Sequence, residues 1–154
     1  MSFATIRTEI KTILEDVTGI GRVHDFIRHT TFWSEFAKRH TKLQIINDWE
    51  ITRIGLTQNL AAVQTQIAAE PTFDDIHTVQ IIGRMGLQDN SESEKKFQTL
   101  VDAVITALRK SADLSQTVVK PIHPIDAIID HDNFHGNLVH QVNITFNAQE
   151  RTGG

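Results

Sequence analysis

No cysteine occurs among the 154 residues, which excludes disulfides and thiolate metal sites and fits a reducing cytoplasm. Proline is scarce at three and glycine modest at eight. Low-complexity tracts and internal repeats are missing as well. No apolar run approaches the ~20 residues of a membrane-spanning helix, and Met1-Ser2-Phe3-Ala4 lacks a signal-peptide layout, so a soluble, unexported protein is expected. Positive charge is also short. Fifteen basic against 19 acidic residues give a formal net charge of -4, which argues against avid duplex binding, since phosphate neutralisation needs a positive surface. What remains has the length of one domain, enough for folding to bury about two-thirds of the surface an unfolded chain exposes.

The clearest local pattern runs from Ile76 to Lys110. His77-Thr78-Val79-Gln80-Ile81-Ile82 is rich in β-branched residues and reads as a strand. Ser91, with Glu94 three residues on, has the spacing of a capping box. Phe97, Leu100, Val101, Val104, Ile105 and Leu108 then form one stripe of a long helix. Phe3, Ile6, Ile10, Ile13, Leu14 and Val17 mark a second helix, with Gly19 placed to end it in a left-handed conformation. Ile20 to Ile27 reads as extended. Thr30 or Thr31 caps a short helix through Phe32, Trp33 and Phe36. The aromatic group Phe26, Phe32, Trp33 and Phe36 reads first as core packing and second as a docking surface.

A strand is expected from Ile45 to Leu56, with Trp49, Ile51 and Arg53 on one face. Residues 55–75 read as a projecting loop or arm, closed by Pro71. Ile122 to Asp130 resumes a strand at a sheet edge, Asp132 to Asn137 reads as a turn, and Leu138 to Asn147 alternates cleanly, with Leu138, His140, Val142, Ile144 and Phe146 on one side. Residues 148–154 are expected to fray. The predicted class is a single α+β domain over residues 1–147, with a mainly antiparallel sheet of about four strands and two long helices packed on one face. Such a sheet has two edges, and oligomerisation is a common way to use them.

Candidate chemistry is sparse. His131, His135 and His140, beside Asp130 and Asp132, are weak metal candidates, because the intervening turn residues do not place them on one face. Neither Asp25 with His24 and His29 nor Asp130 with His131 has a nucleophile fixed beside it. There is no Gly-x-Ser-x-Gly elbow, phosphate loop or dinucleotide fingerprint. Gly83 and Gly86 read as places where a strand bends or bulges, with Arg84 projecting towards a partner. The reading is a protein without catalytic residues or cofactor. Its candidate interface residues are Arg84, Gln58, Asn59, Gln64, Gln66 and Trp33.

The order of elements, together with Phe3 to Val17, Trp49-Glu-Ile-Thr, His77-Thr-Val-Gln-Ile-Ile-Gly, Ser91-Glu-Ser-Glu-Lys-Lys-Phe-Gln-Thr-Leu-Val-Asp-Ala-Val and the closing strand pair, resembles the tail terminator (tail completion, or minor tail) proteins of long-tailed, lambda-like bacteriophages. The resemblance implies a small subunit that forms a homohexameric ring on the head-proximal end of the tail tube. There it would stop tube polymerisation and join the tail to the head-side connector protein, with DNA passing through the lumen without specific binding. A virion location, a tail tube protein as partner and no membrane contact follow from it. Another neck or connector completion protein is the nearest alternative, and a small histidine-dependent metal hydrolase the alternative of a different class.

Overall fold

The structure, a computed structural model, describes residues 2–27, 41–42, 45–60, 72–88, 92–134 and 136–153. Two helices, α1 (Phe3–Glu15) and α2 (Ser93–Lys110), accompany β1 (Arg22–His24), β2 (Thr41–Lys42), β3 (Ile45–Leu60), β4 (Thr72–Gly86), β5 (Asp126–Phe134) and β6 (Asn137–Gly153). Five strands follow the order β1-β3-β4-β6-β5, and β2 pairs with β3 off that path. β1 runs parallel to β3; every other pairing is antiparallel.

This corrects the expected α+β sheet of about four strands. The fold is mixed α/β, and its dominant elements are strands of 16, 15 and 17 residues rather than the helices of 13 and 18. The discrepancy has a physical source. Backbone ladders do not need apolar side chains, so Thr57-Gln58-Asn59 and Gln149-Glu150-Arg151-Thr152 pair in register although they announce no core. Hence residues 148–153, expected to fray, complete β6, with Ala148 and Glu150 buried. Of the expected arm at 55–75, residues 55–60 and 72–75 are ladder residues of β3 and β4, and the rest lies outside the described residues.

The helices share one core with one sheet face. Ile6, Ile10 and Leu14 of α1, at the spacing of one helical stripe, and Phe97, Leu100, Val101, Val104 and Leu108 of α2 meet Trp49, Ile51, Val79, Ile81, Val142, Ile144, Phe146 and Ala148. Among the described residues Trp49 is the largest fully buried side chain, and its indole stacks on Phe97 at 6.3 Å between centroids. Gly83, opposite Trp49 in the ladder, provides the room: a Cβ added there would fall inside the indole. Gly83 is thus a packing position rather than a bend, and the register irregularity lies on β3, between Arg53 and Gly55. Asn47 ties this strand to the end of α1. Its Oδ1 accepts from the Trp49 Nε1–H and the Gly21 N–H, and its Nδ2 donates to the Gly19 carbonyl. Gly19 has φ +88°, the left-handed conformation that the turn after α1 requires.

The start of α2 also differs from expectation. Ser91, and with it the expected Ser91–Glu94 box, lies outside the described residues; the N-cap is Glu92, left-handed at φ 54° with no side-chain cap bond. Ser93 anchors it instead: its hydroxyl accepts the Gln88 N–H at 2.8 Å and lies 2.8 Å from His140 Nε2 on β6. The short helix predicted around Phe32, Trp33 and Phe36 lies outside the described residues.

Candidate functional site

Arg84 does not reach outwards. It stands on the sheet face away from the helices, where Nη1 donates to Glu50 Oε1 at 2.6 Å and lies 3.5 Å from Asp48 Oδ2, while its guanidinium stacks 4.1 Å over the Phe134 ring. Both carboxylates are buried, Asp48 completely. Beside this group, Ile46, Val139 and Phe134 make a second, small apolar cluster. Leu138, expected on the buried side of the last strand, is exposed, whereas Val139 on the other side is fully buried. Arg84 is therefore an internal cross-strand tie. A cation flanked at two-residue spacing by the opposed strand's Asp48 and Glu50 is visible only once the register is known.

A second buried polar group, which the sequence reading missed, lies on the helical face where α1 begins. His77 Nε2 is 2.8 Å from Glu150 Oε1, and Arg53 Nη1 is 3.3 Å from His77 Nδ1. Arginine only donates, so Nδ1 accepts and the ring proton belongs on Nε2, where it bonds Glu150. Phe3 packs 5.1 Å from the His77 ring and receives the guanidinia of Arg7 and Arg53 on its own ring, at 4.7 and 5.1 Å. The only available signal was the alternation that puts His77 in phase with Val79 and Ile81. Glu150 carried none, because its segment read as a tail.

Of the weak metal trio two members are described. His131 and His140 are cross-strand partners with ring centroids 5.2 Å apart, and His135 lies outside the described residues. His131 is on β5, which continues to Phe134, so Asp132, Asn133 and Phe134, expected in a turn, are strand residues. Among the described residues no group of three His, Asp or Glu is arranged to hold a metal ion. The Ser93–His140 pair has a hydroxyl within reach of a base, yet both residues are buried and Phe97 stacks on the imidazole at 5.6 Å. It fastens α2 to β6. A shallow cleft of about 400 Å3 between α1 and α2, walled by Ile13, Val17, Ala103 and Ala107, contains no histidine or serine in its lining.

The remaining candidates lie at the sheet margin. Gln58 and Asn59 are exposed on β3, where the Gln58 Nε2–H donates to Asp75 Oδ1 at 2.8 Å and Asn59 sits opposite Asp74. Trp33, Gln64 and Gln66 lie outside the described residues. On the edge of β3 away from β4, β1 covers only Asp48–Glu50, leaving that edge of Ile51–Leu60 without a strand among the described residues. Along that edge Ile54, Leu56 and Leu60 are 55%, 52% and 60% exposed. The β6 side of this outer ribbon is held by Arg151, whose Nε donates to Asp74 Oδ1 at 2.8 Å. That hydrogen bond holds the Asp74 carboxyl below its ordinary value and raises Arg151.

β5 forms the opposite margin and is exposed along nearly its whole length, with Ile128 at 70%; Leu138, at the start of β6 and opposite Asn133, is 62% exposed. Asp126, Asp130 and Asp132 share the Ile128 face. Asp130 Oδ1 accepts the N–H of His131 at 2.7 Å, and Asp132 Oδ1 that of Asn133 at 2.8 Å. Two backbone donors at the end of β5 are thereby satisfied by its own side chains, a common protection of sheet edges.

No family model matches this chain, and no characterised protein matches it. Among the described residues no helix is long and apolar enough to cross a membrane.

Proposed function

We propose that this chain is a structural subunit of virion assembly, of the tail terminator kind that its sequence resembles. In this reading copies associate into a hexameric ring on the head-proximal end of a tail tube, end tube growth and present a face to the head-side connector. One observation carries the proposal: among the described residues a single sheet ends in two margins, β5 and outer β3, both carrying exposed branched apolar residues. A heterologous contact between unlike surfaces of identical subunits is the arrangement that generates rings. The buried polar groups support the same reading, because Arg84, His77 and Ser93 are each engaged in cross-strand or helix–strand ties inside the subunit. A net charge of -4 suits a ring through which DNA slides, since a strongly positive lumen would retain phosphates.

The test is the mass of the purified chain in solution, measured alone and after mixing with tail tubes. A hexamer, or a monomer that assembles on tube ends, is the expected result. A chain that stays monomeric and indifferent to tubes overturns the proposal.

A further inference from the structure

We infer that the ring contact is an edge-to-edge strand pairing in which the first half of β5 of one copy adds to the outer half of β3 of the next. This rests on the ring reading above and assigns it a surface. Three independent features of the sheet lead there.

Strand direction comes first. From β3 through β4 and β6 to β5 each strand is antiparallel to its neighbour, so the two margins run in opposite directions. A second copy in the same orientation therefore brings its β3 alongside β5 antiparallel, and the ladder continues without a change of type. An odd number of strands between the margins would have forced a parallel joint.

Charge then separates unlike from like pairing. β5 carries three aspartates and no lysine or arginine. Two copies of β5 placed together would set six carboxylates side by side, which cross-strand electrostatics opposes. Outer β3, Ile51-Thr-Arg-Ile-Gly-Leu-Thr-Gln-Asn-Leu60, holds no acid at all. It accepts the acidic strand without repulsion. Branched apolar side chains lie along both partners, Ile128 and Ile129 on one, Ile54, Leu56 and Leu60 on the other.

The open backbone groups and their placement come third. His131 and Asn133 turn their N–H groups away from β6 to the Asp130 and Asp132 carboxylates, so by alternation the N–H groups of Ala127 and Ile129 also face the margin. The aspartates thus close the second half of β5 and leave the first half to a partner. That first half is level with Ile82 of β4, through Ile128, Asn143 and Ile82, whereas outer β3 is centred near Leu56, level with His77. Joining Ile128 to Thr57, which is level with Ile76, steps each copy about six residues along the strands, roughly 20 Å at ~3.3 Å per residue. Spread over four strands ~4.8 Å apart, this gives a tilt of about 45°, at the upper end of the range of closed sheets.

The absence of native cysteine makes a cross-linking test clean. Ile128→Cys with Thr57→Cys, and Ile128→Cys with Asn59→Cys, place thiols on the same sheet face at two registers. Oxidation of either double variant under conditions where the wild-type chain is oligomeric is expected to give a ladder of covalent multimers, and each single variant no more than dimers. Ile129→Pro, which removes an outward N–H at an edge where proline is tolerated, is expected to shift the wild-type oligomer to monomer while circular dichroism stays unchanged. If Ile129→Pro unfolds the chain, Ile128→Lys, altering a side chain 70% exposed, replaces it with the same expectation. A wild-type oligomer that gives no ladder with either pair and survives these substitutions overturns the edge pairing and leaves the ring reading standing. A chain monomeric both alone and with tail tubes overturns both.

Discussion

At Trp49 and Ile51 β3 lies beneath both helices and both residues are fully buried, whereas from Ile54 to Leu60 the same strand leaves the helical layer and three of its apolar side chains are more than half exposed. β4 and β6 behave alike. Val79 and Ile81, Val142 and Ile144 are core, while Thr72–Asp75 and Gln149–Thr152 form a ribbon held by ladder hydrogen bonds, Gln58–Asp75 and Asp74–Arg151. Apolar burial stabilises the inner half, at roughly 25 cal/mol per Å2 removed from water. The outer half has little such term and depends on backbone pairing and polar contacts, of which Gln58–Asp75 and Asp74–Arg151 are exposed and His77–Glu150 is buried, each a modest net contribution. In a chain built this way, changes to the outer half leave the core intact.

Truncating the inner half sharpens that contrast most. Trp49→Ala removes the largest buried side chain from between α2 and Gly83, and a loss of about 3–5 kcal/mol is expected in urea unfolding. A loss below about 1 kcal/mol would mean that the helical layer is not the source of stability. Arg84→Met probes the same inner rows from the opposite face. It takes the guanidinium from buried Glu50 and Asp48, with an expected cost of about 3 kcal/mol by the same measurement. Were Arg84 instead a surface contact for partners, the variant would fold as stably as the parent and fail only in assembly.

The outer half should respond to acid before the inner half does. Asp74 has a depressed carboxyl pKa because Arg151 hydrogen-bonds to it, so its contribution is complete above the unfolded value, about 4, and is lost as pH falls through the folded value. Hydrogen exchange read by NMR is expected to show amides near Asp74 and Arg151 losing protection below pH ~4 while those of Ile81 and Ile144 keep theirs. The effect is small, since the pair is exposed to solvent. Asp74→Asn should abolish the difference between pH 3 and pH 6 at those amides; a difference that persists would assign it to another group.

Both long helices were legible because periodicity is local: Ile6, Ile10 and Leu14, or Phe97, Leu100, Val101, Val104 and Leu108, mark a buried stripe without reference to any other segment. The inner strands were legible for the same reason at period two. Strand ends were not, because Thr57-Gln58-Asn59 and Gln149–Thr152 are held through a backbone that every sequence possesses. β1 and β2, with three and two residues, are too short to show any period. Of the candidate interface residues, Gln58 and Asn59 lie on the exposed outer part of β3, whereas Arg84 is engaged by Asp48 and Glu50, partners on another strand that no local pattern reveals.

By itself, then, the sequence determined the two amphipathic helices, the apolar rows that meet them and the absence of thiol chemistry, all properties of residue type and short-range spacing. Tertiary structure alone decided that six strands share the sheet, that Arg84 and His77 turn inwards to carboxylates from other strands, and that β5 and outer β3 become its margins. Those outcomes depend on register between segments far apart in the chain, 73 residues in the case of His77 and Glu150, and only the assembled ladder fixes that register.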